Sequence, residues 1–349
     1  MITPALLAGI VAAASPVFHL HDPRLDELSG IAVGIRSSDV AYVQNDSGDS
    51  ARFFALDLRT GALRATITVP DAVNHDWEDL AVAPDAHGTP SVWLADIGDN
   101  DAERSRIELY RVDEPKVGSA TTITATRPQV WTLHYPDGPH DAESLAVSPE
   151  GVPYLVTKSF TGASEVFSAP STPGAATLRR VGSIQFQLTG TPGPFAPLGE
   201  LTATGAALSP DGSRLVVRTY TDAYVWPVRH GDVAAALRTA PQRIPLPEQP
   251  QGEGVCFDGN HLLVDSEGAG SAVYSVPIPE TPRPSETARA ATTASPTPRS
   301  SAVVHPSTAR HSHNGAFAAL LAVAVVFLAA GASAVLRFRR RGGRAGSAP

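Results

Sequence analysis

Apolar positions along this chain fall in short runs, each closed by Gly, Pro, Asn or Asp. None keeps a helical period over a useful length, so the runs read as buried strands. They come in order and in sets. Short runs at Ser29–Val33, Glu78–Val82, Glu143–Val147, Thr204–Leu208 and Glu253–Phe257 predict first strands. Second strands are expected at Val40–Asn45, Ser91–Asp96, Pro153–Thr157, Arg214–Arg218 and His261–Asp265. Third strands follow at Arg52–Leu56, Ile107–Val112, Glu165–Ala169, Ala223–Val228 and Ala272–Val276. Fourth strands follow at Leu63–Val69, Gln129–Tyr135, Leu178–Phe186 and Gln242–Leu246. The fifth set lacks a fourth strand, and a strand-like piece, Pro16–Leu20, precedes the first set. Closure of a ring by an N-terminal strand removes the last open edge. Outside a C-terminal apolar stretch, Gly231–Arg238 is the one short helical candidate.

The sets share a phrase. His75-Asp76-Trp77-Glu78-Asp79-Leu80-Ala81-Val82-Ala83-Pro84 recurs as His140-Asp141-Ala142-Glu143-Ser144-Leu145-Ala146-Val147-Ser148-Pro149. Weaker copies start at Ser29, Thr204 and Glu253. Recurrence on this scale marks a β-propeller, whose blades run roughly 40–50 residues. The expected fold is all-β: a five-bladed propeller over residues 16–279, closed by the N-terminal strand. A six-bladed ring is the alternative, with part of a blade inside the Gly/Pro-rich stretch Gln187–Leu201.

Composition agrees, since 31 Pro and 29 Gly supply many turns. The single cysteine, Cys256, excludes an intramolecular disulfide and reads as a small buried hydrophobe. A formal net charge of -8 argues against a nucleic-acid partner. The chain ends add a topology. Residues 1–15 resemble the apolar core and cleavage zone of a signal peptide, although no basic residue precedes them. Residues 315–336 form a 22-residue apolar stretch without a charge, long enough for a transmembrane helix. The basic tail 337–349, with Arg337, Arg339, Arg340, Arg341 and Arg344, places that end in the cytoplasm. Residues 280–314, rich in Pro, Ser and Thr, read as an extended stalk, and His305, His311 and His313 in it as solvated side chains or a metal tract. The expectation is a single-pass type I protein of the plasma membrane, held there by its C-terminal helix, with the propeller outside.

The candidate chemistry lies on one face of the ring. First-strand starts bring Ser29, Glu78, Glu143, Thr204 and Glu253 to the channel, with Asp76 and Asp141 on the same side as their glutamates and His75 and His140 turned away. Second-strand ends add Asp46, Asp96, Lys158, Arg218 and Asp265. Like charges so placed must protonate, pair or bind a cation. Glu78, Glu143 and Glu253 with Asp96 and Asn100 offer the oxygen ligands that Ca2+ takes. Lys158 and Arg218, with the hydroxyls of Ser29 and Thr204, could hold an anionic ligand, or the two cations could salt-bridge the glutamates. The Asp46–Asp49 and Asp96–Asn100 segments also suit plain turn chemistry, and the His-Asp steps suit structural hydrogen bonds. Trp77, Trp93, Trp131 and Trp226 are read as packing between blades.

The blocks Asn45-Asp46-Ser47-Gly48-Asp49, Asp76-Trp77-Glu78-Asp79-Leu80-Ala81-Val82, Asp96-Ile97-Gly98-Asp99-Asn100 with Arg104, and Asp141-Ala142-Glu143 resemble those of secreted actinobacterial, WD40-like β-propellers. More distantly they are similar to the phytase-like group with "esterase-like activity of phytase". That resemblance covers roughly Leu28–Pro277 and implies calcium-dependent hydrolysis of a phosphate ester. The residues themselves show no G-x-S-x-G elbow and no H-E-x-x-H pair. Three functions stay open: a surface module binding an extracellular ligand or protein at an acidic, Ca2+-assisted mouth, a metal-dependent hydrolase of phosphate or other esters, and a structural ectodomain.

Overall fold

The computed structural model describes residues 14–280. The expected signal peptide up to residue 13, the stalk from residue 281, the transmembrane stretch and the basic tail lie outside the described residues. Among the described residues, no helix is long and apolar enough to cross a membrane.

Five antiparallel sheets make a five-bladed propeller, each blade starting with its inner strand and stepping outward. The inner strands are Leu28–Val33, Trp77–Pro84, Ala142–Val147, Ala203–Leu208 and Val255–Asp258. The fifth blade takes its outer strand from the chain start, where Ser15–His19 pairs antiparallel with Ala272–Pro277. The expected closure and blade number therefore hold. The stretch 187–201 holds a 3-10 turn, Leu198–Glu200, and no strand, which removes the six-bladed alternative. The helical candidate shrinks to one turn, Val233–Ala236, capped by the Asp232 carboxylate accepting from the Ala235 amide.

Two short strands escape the sequence pattern. Thr122–Thr124 leaves blade two to pair in parallel with the outer strand of blade one. Gly174–Thr177 leaves blade three to do the same for blade two. At three and four residues, both are too short to carry a legible apolar pattern. Their role is to cover an edge that would otherwise expose unpaired amides.

The cores lie between blades, because each sheet is apolar on both faces. Trp77 packs with Tyr42, Phe53 and Tyr110 between blades one and two. Trp93 and Trp131 stack, ring centroids 4.9 Å apart, between blades two and three. Trp226 fills the interface of blades three and four. Each such ring removes about 150–250 Å2 from water, about 4–6 kcal/mol of transfer free energy at ~25 cal/mol per Å2. Cys256 is buried in the core that joins blades five and one.

Candidate functional site

The inner strands build the site through a repeated irregularity. In the first four blades the pairing with the second strand skips one residue near its start. The skipped residues are Ser29, Glu78, Glu143 and Thr204. A bulge re-aims its extra residue, and here it does so at the same level in successive blades. In blade five, Glu253 takes the same place just before its strand, next to Gly254, whose carbonyl accepts from the Asp265 amide. The sequence-predicted ring thus exists, and Glu78, Glu143 and Glu253 are all buried in it.

The second-strand ends behave differently from expectation. Asp96 pairs with Trp77, Arg218 with Gly205, and Asp46 and Lys158 stand one step beyond the strand. These positions are not level, and a one-residue slip turns a side chain to the other face. The amides of Asp46, Gly98, Lys158 and Glu267 donate to the carbonyls of Glu27, Asp76, Asp141 and Gln251, respectively. That level, together with Tyr220 of blade four, forms the rim above the glutamates. Glu267 lies in Asp265-Ser266-Glu267-Gly268, blade five's copy of the acidic turn at Asp46–Asp49, but the sequence gives it no role at the site, and no motif marks Tyr220.

Two groups of carboxylates come together at the mouth, and they could hold a metal ion. Asp46, Asp76 and Glu78 offer ligand atoms within 4.8 Å of one another, and so do Glu78, Asp141 and Glu143. Glu78 belongs to both. Gly98 makes this approach feasible, since a Cβ there would lie 2.2 Å from Glu78 Oε1 and 2.4 Å from Asp76 Oδ2. Lys158 Nζ donates to Glu143 Oε1. Ser29 Oγ lies 3.5 Å from Glu78 Oε2, and Thr204 Oγ1 donates to the carbonyls of Gly252 and Glu253 at 3.0 and 3.1 Å. Glu253 Oε2 is buried and accepts no hydrogen bond among the described residues.

The remaining predicted residues sit elsewhere. Asp96 is buried opposite Trp77. It pairs with Arg104 at 2.8 Å and accepts from the backbone amides of His75 and Asp76, so it shapes the strand that carries Asp76. Asn100 is exposed in the following turn. In that turn Asp99 accepts from the amides of Glu103 and Arg104, and Asp141 Oδ1 accepts from Asp99 at 2.9 Å. Arg218 is fully buried. Its guanidinium donates to the carbonyls of Thr219, Tyr220, Gly254 and Asp265, which ties blade four to blade five. Burial lowers its pKa to about 10.

Electrostatics at the mouth favour neutralisation. Burial and the neighbouring Asp46 and Glu143 charges push the Glu78 carboxyl well above the usual carboxylate range. Burial, then Asp141, raises Asp76 to about 6. Burial raises Glu143 to about 7, against the pull of Lys158. Burial and Glu27 raise Glu267 to about 7. Asp46 and Glu253 move up for the same reason, burial first and neighbouring carboxylates second. Burial alone would discharge Lys158, but Glu143, Tyr220, Glu78 and Asp141 outweigh it and raise its pKa.

One residue below the mouth, the channel is closed. Gly30, Asp79, Ser144, Gly205 and Gly254 follow the bulged level in the five blades. The inner strands converge so closely that a Cβ on Gly254 would come within 2.8 Å of the Gly30 Cα. Asp79 reaches across this floor. Its carboxylate accepts from the amides of Leu80 at 2.8 Å, Leu145 at 2.8 Å and Ala206 at 3.3 Å, one from each of blades two, three and four.

No protein-family model matches the chain, and no curated protein matches it. A solved structure similar in outline is the PQQ-bound form of an aldose sugar dehydrogenase from Streptomyces coelicolor. The two share 10% identity at a TM-score of 0.43, covering 76% of this chain and 98% of that one. At that distance nothing about the dehydrogenase's cofactor or substrate transfers to this chain.

Proposed function

We propose that this chain is a membrane-anchored propeller, displayed outside the cell, that binds Ca2+ at its acidic mouth and through the ion captures an anionic extracellular ligand. One observation carries the reading. Two carboxylate triads share the buried Glu78, while the buried Glu253 Oε2 beside them has no hydrogen-bond partner among the described residues. Buried carboxylates without partners are costly unless a proton or cation joins them. The donor set is all oxygen, and Ca2+ takes six to eight such ligands. Glu78 would serve as pivot, with Asp46 and Asp76 on one side and Asp141 and Glu143 on the other. Lys158, beside Glu143, is placed to meet an anion that the ion also holds. The resemblance of the Asp46–Asp49 and Asp96–Asn100 blocks to phytase-like propellers supports the choice of calcium. The apolar stretch 315–336 and its following arginines support the anchoring.

The test is thermal unfolding of the purified protein in EDTA and then in excess Ca2+, beside the Glu78→Gln/Glu143→Gln double variant. An ion at about 100 times its dissociation constant adds about 2.7 kcal/mol by linkage, or about 5–10 °C in a domain of this size. The wild type should gain that and the double variant should not. No shift in either protein overturns the calcium reading. Phosphate release from a phosphomonoester in the Ca2+ form would move the assignment from binder to hydrolase.

A further inference from the structure

The repeated phrase contributes more than its carboxylates. His140, its first residue in the second copy, turns away from the channel and meets a different set of groups. It ends the turn Pro136-Asp137-Gly138-Pro139 that leads from blade two into blade three. Two prolines and Gly138, at a φ of 112°, fix that turn. The His140 ring is fixed in turn. It stands edge-on to Tyr135 at 4.8 Å and lies 5.5 Å from Phe167. Its Nε2 is 2.9 Å from Asp137 Oδ1. Glu165, from the third strand of blade three, completes the group. Asp137, His140 and Glu165 each offer a ligand atom, all within 4.8 Å of one another.

Two further facts separate this trio from an ordinary surface ion pair. Glu165 Oε2 is buried and has no hydrogen-bond partner among the described residues, although Arg180 holds Oε1 at 2.5 Å. Arg180 itself is half exposed, so its side chain can leave without unpacking the blade. The donors also differ from those of the mouth. One imidazole nitrogen with two carboxylates suits a borderline transition ion, Zn2+ foremost, and not Ca2+ or Mg2+, which take oxygen. Three protein ligands leave a fourth position for water.

We infer a second metal site, on the outer side of the blade two to blade three junction, in which His140, Asp137 and Glu165 bind Zn2+ and Arg180 competes with the ion for Glu165. The site is independent of calcium at the mouth and does not rest on that reading. Zn2+ there would clamp the Asp137–His140 turn to the third strand of blade three.

The test titrates the EDTA-treated full chain with Zn2+ by calorimetry, and with Co2+ by visible absorption, which reports ligand geometry. The expected result is one equivalent that is lost in Asp137→Asn and in His140→Ala and retained in the Glu78→Gln/Glu143→Gln variant. Arg180→Ala should tighten the same equivalent at least tenfold, since it frees Glu165. Asp137 is half exposed and makes no core contact that the asparagine would lose, so Asp137→Asn keeps the test valid if His140→Ala fails to fold. Equal uptake by wild type and both ligand variants, or none by the wild type, overturns the proposal.

Discussion

Blades two and three begin with the same phrase, and the structure treats its positions in two ways. Asp76 and Glu78 of one copy, and Asp141 and Glu143 of the other, reach the same mouth. The remaining polar positions diverge. His75 is exposed, whereas His140 is packed between two aromatic rings. Asp79 bridges three blades at the axis, whereas its counterpart Ser144 is buried with no hydrogen bond to its hydroxyl among the described residues. Glu143 has an ammonium partner in Lys158, whereas at the equivalent rim position Glu78 has only Gly98. Strand register decides which way a side chain points. The neighbouring blade decides what it meets.

The sharpest way to break the equivalence is at the axis. Asp79→Ala leaves three buried amides without their shared acceptor and opens a small cavity. At about 1–3 kcal/mol for each buried donor left unpaired, the loss should reach about 3–5 kcal/mol. Ser144→Ala, at the matching position, should change stability by less than about 1 kcal/mol, since it removes no bond. Denaturant unfolding of both variants measures the difference. Equal effects would show that the axial hydrogen bonds carry no weight.

The rim comes next. Lys158→Met leaves Glu143 buried beside other carboxylates. Removing one partner of a buried pair costs about 3 kcal/mol or more when the survivor is charged. At pH 8 the loss should be of that size. At pH 5 it should shrink to about 1 kcal/mol, because Glu143 titrates near 7 even with its lysine present and is then neutral. A loss independent of pH would mean that Lys158 acts through packing alone.

The wild-type mouth makes a related prediction. Glu143 and Glu267 titrate near 7 and Asp76 near 6 in the fold, above their ordinary values of 4.5 and 3.8. The native state therefore holds more protons than the unfolded chain between about pH 4 and 7, and metal-free stability must fall as pH rises through that window. Calcium bound as proposed would reverse the sign, since it would take the deprotonated groups. The midpoint gain in Ca2+ should grow from pH 5 to pH 7.5. A metal-free midpoint that rises over this range would contradict the raised carboxyls.

Blade number, closure and nearly every strand were legible because strands buried on both faces write themselves as short apolar runs between turn residues. The three glutamates were legible because the phrase carries them at a constant offset. The rest depended on contacts between blades. Arg218 looks like a mouth cation from its place at a strand end, but the register turns it into the blade four to blade five seam. Asp96 and Asn100 belong to an acidic segment whose hydrogen bonds shape its own turn. Asp79 carried one visible signal, a second charge beside Glu78 within a buried run. Its partners Leu145 and Ala206 lie 66 and 127 residues away, and no local pattern points to them.

The histidines give the smallest and most specific contrast. His75 lies 67% exposed beside Asp96, and Arg104 already holds that carboxylate. Replacing His75 by Ala removes a contact that water and Arg104 can replace, so the change should stay within about 0.5 kcal/mol. His140 loses more. Its ring is in contact with Tyr135 and Phe167, and aromatic pairs of this kind contribute about 0.5–1.5 kcal/mol beyond their buried area. His140→Ala should therefore cost about 1–2 kcal/mol in EDTA, with no metal to complicate the comparison. The discriminating variant is His140→Phe. It keeps the ring and drops the nitrogen, so it should restore most of that loss while leaving any Zn2+ equivalent absent. If Phe restores both or neither, then packing and ligation at this position are not separable, and the two copies differ for a reason other than the neighbours that blade three supplies.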